Sequence, residues 1–155
     1  MAGTRPIDAR GWTFEVEDAT AQTPKWIPIA GLTQWSHSPG ENEETAETTA
    51  FDSAGYYEQD VMQRGASLEL EGQYRIDKTT KAQDPGQLYI DTVWAYRFGY
   101  DSRGRVRWRH DTQSKWAIWE ATCTPGEQSG GNNDKTSWSV SFVRCGPATV
   151  SAVTP

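Results

Sequence analysis

From Ala66 to Asp77 the chain alternates with a period of two. Leu68, Leu70, Gly72, Tyr74 and Ile76 fall on one side, and Ser67, Glu69, Glu71, Gln73, Arg75 and Asp77 on the other. Successive side chains of a strand point to opposite faces, whereas a helix repeats every 3.6 residues, and no helical register sorts these residues this way. A strand with one apolar and one charged face has to lay the first against a second layer, so this segment alone demands a sheet packed on something. The same alternation recurs. Trp12, Phe14 and Val16 oppose Thr13, Glu15 and Glu17; Val106 and Trp108 sit between Arg105, Arg107 and Arg109; Trp138, Val140 and Phe142 share one side of the segment 136–145. Lys115 to Cys123, with Trp116, Ile118 and Trp119, reads as another strand, and 148–153 as a short last one. Lys25 to Leu32 reads as an edge or bulged strand, because Pro24 and Pro28 cannot donate to a ladder.

One helix is expected. Asp84 suits an N-cap and Pro85 the first helical position; Leu88, Tyr89, Ile90, Val93, Trp94 and Phe98 form an apolar stripe, and Gly99 can close the end. This places a helix over 85–98. Gly130, Gly131, Asn132, Asn133 and Asp134 read as a turn between two strands and lack the ligand spacing of a calcium loop. The expected fold is mainly β: a β-sandwich or partial barrel of antiparallel strands with one flanking α-helix, in a single domain over 1–155.

Residues 33–60 break the pattern. They are rich in Gly, Pro, Ser and Thr and carry Glu41, Glu43, Glu44, Glu47 and Asp52. They read as a long acidic loop, and its aromatics, Trp35, Phe51, Tyr56 and Tyr57, suggest docking on a partner.

The chain is acidic, with a net charge of -6. Leu, Ile, Val and Phe are scarce, which alone would flag disorder, but eight Trp and six Tyr supply apolar area that disordered chains lack. The acidity argues against gripping nucleic acid, which needs basic patches that neutralise phosphates. The stretch Met1 to Gly11 has no apolar core of a secretory signal, and no apolar run reaches membrane-spanning length. Cys123 and Cys145, the two cysteines, are expected as buried free thiols.

No catalytic constellation emerges. His37 and His110 have no Ser or Cys partner at a recognisable spacing and are expected to be solvated; no metal motif occurs, and the carboxylate pairs Glu69/Glu71 and Glu15/Glu17 each lie on one solvated face without an opposed partner. No catalytic residue, metal or cofactor is therefore assigned. Two readings of Arg105, Arg107 and Arg109 stay open: a solvated face paired with carboxylates across the sheet, or a subunit interface for a neighbour's acidic loop. Trp12, Trp108, Trp116 and Trp138 are expected in the core, and Trp26, Trp35 and Trp119 remain candidates for an exposed patch.

Several segments in order resemble the tail tube (major tail) proteins of siphoviruses, especially those of phages infecting actinobacteria. They are Gly31-Leu32-Thr33-Gln34-Trp35, Ser38-Pro39-Gly40-Glu41, Thr49-Ala50-Phe51-Asp52-Ser53 with Gly55, Val61 through Leu68 into Leu70-Glu71-Gly72, Asp84-Pro85-Gly86-Gln87, and Gly130 through Asp134 with Ser137-Trp138. The resemblance implies a tail-tube or type VI secretion tube-like fold and a subunit of hexameric rings stacked into a conduit for the genome. It also implies a virion location after synthesis in the host cytoplasm. The implied partners are further copies of the chain, the tape-measure, terminator and distal tail proteins, and double-stranded DNA in transient passage, with no membrane. It makes Trp35, Glu41, Glu43, Glu44, Glu47, Phe51 and Asp52 candidates for contacts between subunits or rings. Since an acidic wall repels phosphates, Glu69 and Glu71 are candidates to face the lumen. The rival readings are a monomeric carbohydrate-binding β-sandwich and a tail-completion (terminator) protein.

Overall fold

In the computed structural model, residues 3–153 are described; Met1, Ala2, Thr154 and Pro155, which open and close the stretch assigned to the domain, lie outside the described residues. Strand β6 (Ser67–Gln73) buries Leu68 and Leu70 completely and leaves Glu69 and Glu71 in solvent. It lies between β3 (Leu32–Ser38) and β9 (Ser137–Arg144), antiparallel to both. Beyond β9 follow β8 (Lys115–Pro125), β7 (Gly104–His110), β1 (Trp12–Asp18) and β2 (Lys25–Pro28), so the sheet runs β2-β1-β7-β8-β9-β6-β3. The long β8 serves two partners along one edge: residues 121–125 pair with β9, and residues 115–118 with β10 (Thr149–Ala152). Every named pairing is antiparallel.

The sheet rolls over on itself. Trp35 of β3 reaches the far part of the sheet and packs on Trp12 and Phe14 of β1, with ring centroids 4.8 and 5.5 Å apart. His37, one inward position further along β3, meets Trp108 of β7 and Trp119 of β8 edge-on at 5.9 and 5.2 Å. No ladder joins β3 to β1 or β2, so the roll is held by rings and is not a closed barrel. Inside lie Phe14, Val16, Leu68, Leu70, Val106, Trp108, Trp119, Trp138 and Phe142, all buried. Each such side chain contributes about 1.5–3 kcal/mol relative to exposure. Gly72 sits where β3 bulges against β6; a Cβ there would collide with the Gly31 carbonyl and the Leu32 backbone.

The helix α1 (Pro85–Thr92) packs against the roll through Tyr89 and Ile90. Asp84 caps it, accepting from Gln87 N at 3.3 Å, and also accepts from Ala30 N at 3.2 Å. Gln87 is completely buried and spends its amide as a clip: its Nε2 donates to Ala30 O at 3.1 Å and Gln73 O at 2.8 Å, and its Oε1 accepts from Arg75 N at 3.2 Å. At the other end Asp91 accepts from the Trp138 indole at 3.0 Å and from Gln83 at 2.9 Å.

Three expectations need correction. The strand expected over 66–77 ends at Gln73, where the Gln87 amide takes the Gln73 carbonyl and the Arg75 N–H, and Ile76 is exposed. The helix stops at Thr92, short of the expected Phe98. Trp94 turns inward against Phe142 and Gly104, its indole donates to Ser102 O at 2.8 Å, and the chain follows in two 3-10 turns, Trp94–Tyr96 and Gly99–Ser102. Phe98 stays exposed, and Gly99 opens the second turn. The segment 33–60 is not one structureless loop. Residues 33–38 belong to β3, and β4 (Glu44–Glu47) pairs with β5 (Gln59–Gln63) in a separate two-stranded ribbon.

Replacing Gln87 by Leu keeps the volume but strands two carbonyls and one N–H. It is expected to lower the unfolding free energy by about 2–3 kcal/mol, seen as a lower denaturant midpoint at unchanged slope. Glu69→Ala on the solvated face should shift it by less than about 0.5 kcal/mol.

Candidate assembly surfaces

The outward face of β3, β6 and β9 is set by the same alternation that builds the core. In register across it lie Gln34 and Glu71, Ser36 and Glu69, Ser38 and Ser67, and beside them Ser137, Ser139 and Ser141 of β9. Within these three strands the face is mostly hydroxyl and amide, with Glu69 and Glu71 as its charged groups and Val143, beside Ser67, as an exposed apolar residue; Arg75 lies just beyond the end of β6. Leu68 and Leu70 point the other way, into the core.

The ribbon of β4 and β5 stands off the body as an arm. All its strand residues are exposed, as are Phe51, Tyr56, Tyr57 and Met62. The expected loop residues divide here. Glu41, Glu43, Glu44, Glu47, Phe51 and Asp52 are on the arm, whereas Trp35 is half-buried in the roll and belongs to the body. Residues 39–65 hold seven Asp and Glu against one cation, Arg64, so the arm alone carries the formal charge of the whole chain, -6. An isolated two-stranded ribbon is marginal in water, so this one relies on its tether or on a partner.

Arg105, Arg107 and Arg109 line the outer face of β7, the first two bound to carboxylates and the third to backbone carbonyls. Arg105 binds Glu17 at 2.9 Å, Arg107 Nε binds Glu15 at 2.7 Å, and Arg109 donates to Gln113 O at 2.8 Å. Arg107 is also sandwiched between Trp26 of β2 and Trp116 of β8, its guanidinium carbon 4.3 and 4.0 Å from their ring centroids. Such stacking on both faces of a planar cation is a role that Lys cannot take over. The ladder covers Trp116, which is buried on this outer side of the sheet, and shields Trp26. Trp119, a candidate for an exposed patch, is 2% exposed and lies in the core.

His110, expected to be solvated, is buried. Its Nε2 lies 2.7 Å from the Asp8 carbonyl, which only accepts, so Nε2 carries the hydrogen; Nδ1 then accepts from Thr112 N at 3.2 Å. The ring ties the N-terminal stretch to the end of β7. His37 is exposed, as expected, yet partial desolvation of its ring and the nearby Arg144 hold its pKa below the ordinary value. Cys123 and Cys145 are free, and burial with the Asp91 carboxylate pushes the Cys123 thiol up to about 12. Among the described residues no group of three or more His, Cys, Asp or Glu could hold a metal, and no helix is long and apolar enough to cross a membrane.

No family model and no curated protein matches the chain. Solved structures do share its fold. A chain from the virion of a native gene transfer agent particle superposes with a TM-score of 0.64 at 16% identity, over 95% of this chain and 100% of that one. A chain from the tail of an empty gene transfer agent particle, determined by helical refinement with C6 symmetry, gives 0.66 at 18% identity with the same coverage. A chain of the anti-feeding prophage baseplate, 6-fold symmetrised, gives 0.59 at 13% identity over 99% of this chain and 100% of that one. At such identities the likeness is one of fold, and it agrees with the expected mainly antiparallel, tail-tube-like architecture.

Two outcomes are expected. Arg107→Lys loses both stacking faces and the fork to Glu15, and should cost about 1–2 kcal/mol in denaturant unfolding. Because the folded-state pKa of His37 is depressed, its contribution to stability is present above its ordinary value of 6.5 and is lost as pH falls through that value toward the lower folded one. Thermal unfolding between pH 7 and 5 should therefore fall less steeply in His37→Gln than in the parent chain.

Proposed function

We propose that this chain is a structural subunit of a phage-type tail, forming hexameric rings that stack into a tube for genome passage. The observation that carries this reading is the face of β3, β6 and β9, where Glu69 and Glu71 sit among hydroxyls and amides with Val143 as the apolar residue at the end of β9. A conduit wall for a polyanion must not hold it. A smooth hydroxyl surface with negative charge repels phosphates and leaves the duplex free to slide. On this reading Glu69 and Glu71 face the lumen.

The rest of the molecule supports assembly. The unpaired edge of β3 offers backbone donors and acceptors to a neighbour's strand, and a ring uses up such edges. Head-to-tail contacts close into a ring when the rotation permits, and stacked rings make a filament. The fold shared with chains of tail particles, one of them with C6 symmetry, points the same way. The partners are other copies of the chain, the tape-measure, terminator and distal tail proteins, and passing double-stranded DNA; the place is the virion. The carbohydrate-binding reading is disfavoured by the tryptophans. Sugar platforms need rings open to solvent, and no Trp is among the exposed large apolar residues. A terminator would form one ring and stop.

Electron microscopy of the purified chain after concentration should show hollow particles or tubes of uniform width. A persistent monomer, or single rings that never stack, would contradict the tube. In reconstituted particles, Glu69→Gln with Glu71→Gln should leave tubes intact and slow DNA ejection; unchanged ejection would remove these residues from the lumen wall. Replacing residues 40–64 with a short turn should leave the circular dichroism of the body unchanged and abolish tube growth.

A further inference from the structure

At one end of the roll the inward positions stop being apolar. There β3 offers His37, opposite Leu68 of β6, and β9 offers Arg144, opposite Ala121 of β8. Leu68 and Ala121 are buried in the core, so register turns both polar side chains to the inner side of the sheet. Both lean on one indole. The His37 ring meets Trp119 edge-on at 5.2 Å, and the Arg144 guanidinium carbon lies 5.8 Å from the Trp119 ring centroid. His37 is exposed and Arg144 partly buried, so the pair forms a rim where the aromatic core opens to solvent. Among the described residues the ion pairs engage Arg64, Arg103, Arg105, Arg107 and His110, and none reaches this rim. Arg144 Nε is shut off from solvent with no acceptor, the one such side-chain atom among the described residues.

A cation drawn partly out of water is ordinarily answered by an acceptor. Here the carboxylates of the adjoining strands face the other way. Glu69 stands on the outward face of β6, and Glu120, next to Trp119, turns outward toward Arg103. What faces His37 is Arg144 from β9 and the uncharged rings of Trp108 and Trp119 from β7 and β8, with Leu68 beside it on β6. We propose that the rim formed by His37, Arg144 and Trp119 is a binding site for a small oxyanion, a phosphate or carboxylate group. The planar fork of Arg144 matches two oxygens of such a group, and protonated His37 donates to the same ion. Desolvation and, after it, the Arg144 charge oppose protonation of His37; an anion between the two cations offsets the second. Binding therefore takes up a proton and tightens as pH falls through the His37 titration. The site is complete in one copy and does not rest on the assembly reading. Its oxygens come either from a free ion or from a carboxylate of another copy, and the test separates the two.

Nuclear magnetic resonance of the His37 ring in the full chain tests it, with His37→Gln distinguishing its signals from those of His110. Inorganic phosphate or acetate, compared with chloride at equal ionic strength, should move the His37 signals saturably and raise the midpoint of their titration. Arg144→Gln, its fold checked by circular dichroism, should weaken phosphate binding about tenfold. Arg144→Lys keeps the charge without the fork, so it is the gentler variant and should weaken binding by less. Signals that follow ionic strength alone, or phosphate binding left unchanged by both Arg144 variants, overturn the site. Sedimentation in the same solutions identifies the source of the oxygens. An association state that phosphate and acetate leave alone supports a free ion; dissociation by phosphate and acetate but not by chloride supports a carboxylate of a second copy at the same rim.

Discussion

Trp35 landing on Trp12 and Phe14 is the contact on which the rest of this structure depends. A seven-strand path of antiparallel strands has two faces and two edges, and only rolling can bury one face without a second sheet. The ring contact brings β3 over β1, encloses the aromatic core and turns the other face outward everywhere. Because rings make this contact and hydrogen bonds do not, the edge of β3 keeps its free backbone groups, and the molecule remains open to pairing.

The outward face is then divided by chemistry. Over β1, β7 and β8 it is a closed account of its own, with arginines stacked on Trp26 and Trp116 and bound to Glu15 and Glu17. Over β3, β6 and β9 it is hydroxyl-rich and acidic. The net charge of the chain sits on the arm, and the body is formally neutral. On the proposed reading, a neutral body would tolerate close approach of its copies.

Much of this was legible in the alternation. The strands β1, β7 and β9 stand where period two puts them, and β6 does so up to Gln73, beyond which the alternation continues in sequence while Ile76 is exposed. Parity also fixes residues outside the apolar runs. His110 shares the side of Val106 and Trp108, opposite the arginines, so its burial follows from register. Trp116 and Trp119 differ by an odd number and must lie on opposite faces. Other features left no such signal. The inward residues of β3 are Trp35 and His37 beside a bulge, too few for a period, and β4 and β5 are solvated on both sides, so neither face is marked. The early end of α1 follows from Trp94 meeting Phe142 and Gly104, a contact between distant parts of the chain that no local pattern encodes. For the assembly surfaces, the sequence displayed the charges and the aromatics, but only the fold separates arm from body.

The central claim of the proposed function is that the face of β3, β6 and β9 lines a conduit. A cryo-electron microscopy reconstruction of the assembled form, at a resolution that shows side chains, tests it most directly. The account predicts Glu69 and Glu71 at the smallest radius, with the serines of β9 beside them and the Arg107 stack facing away from the axis. A reconstruction with Trp26, Arg107 and Trp116 lining the channel, or with β6 buried between subunits, would contradict it.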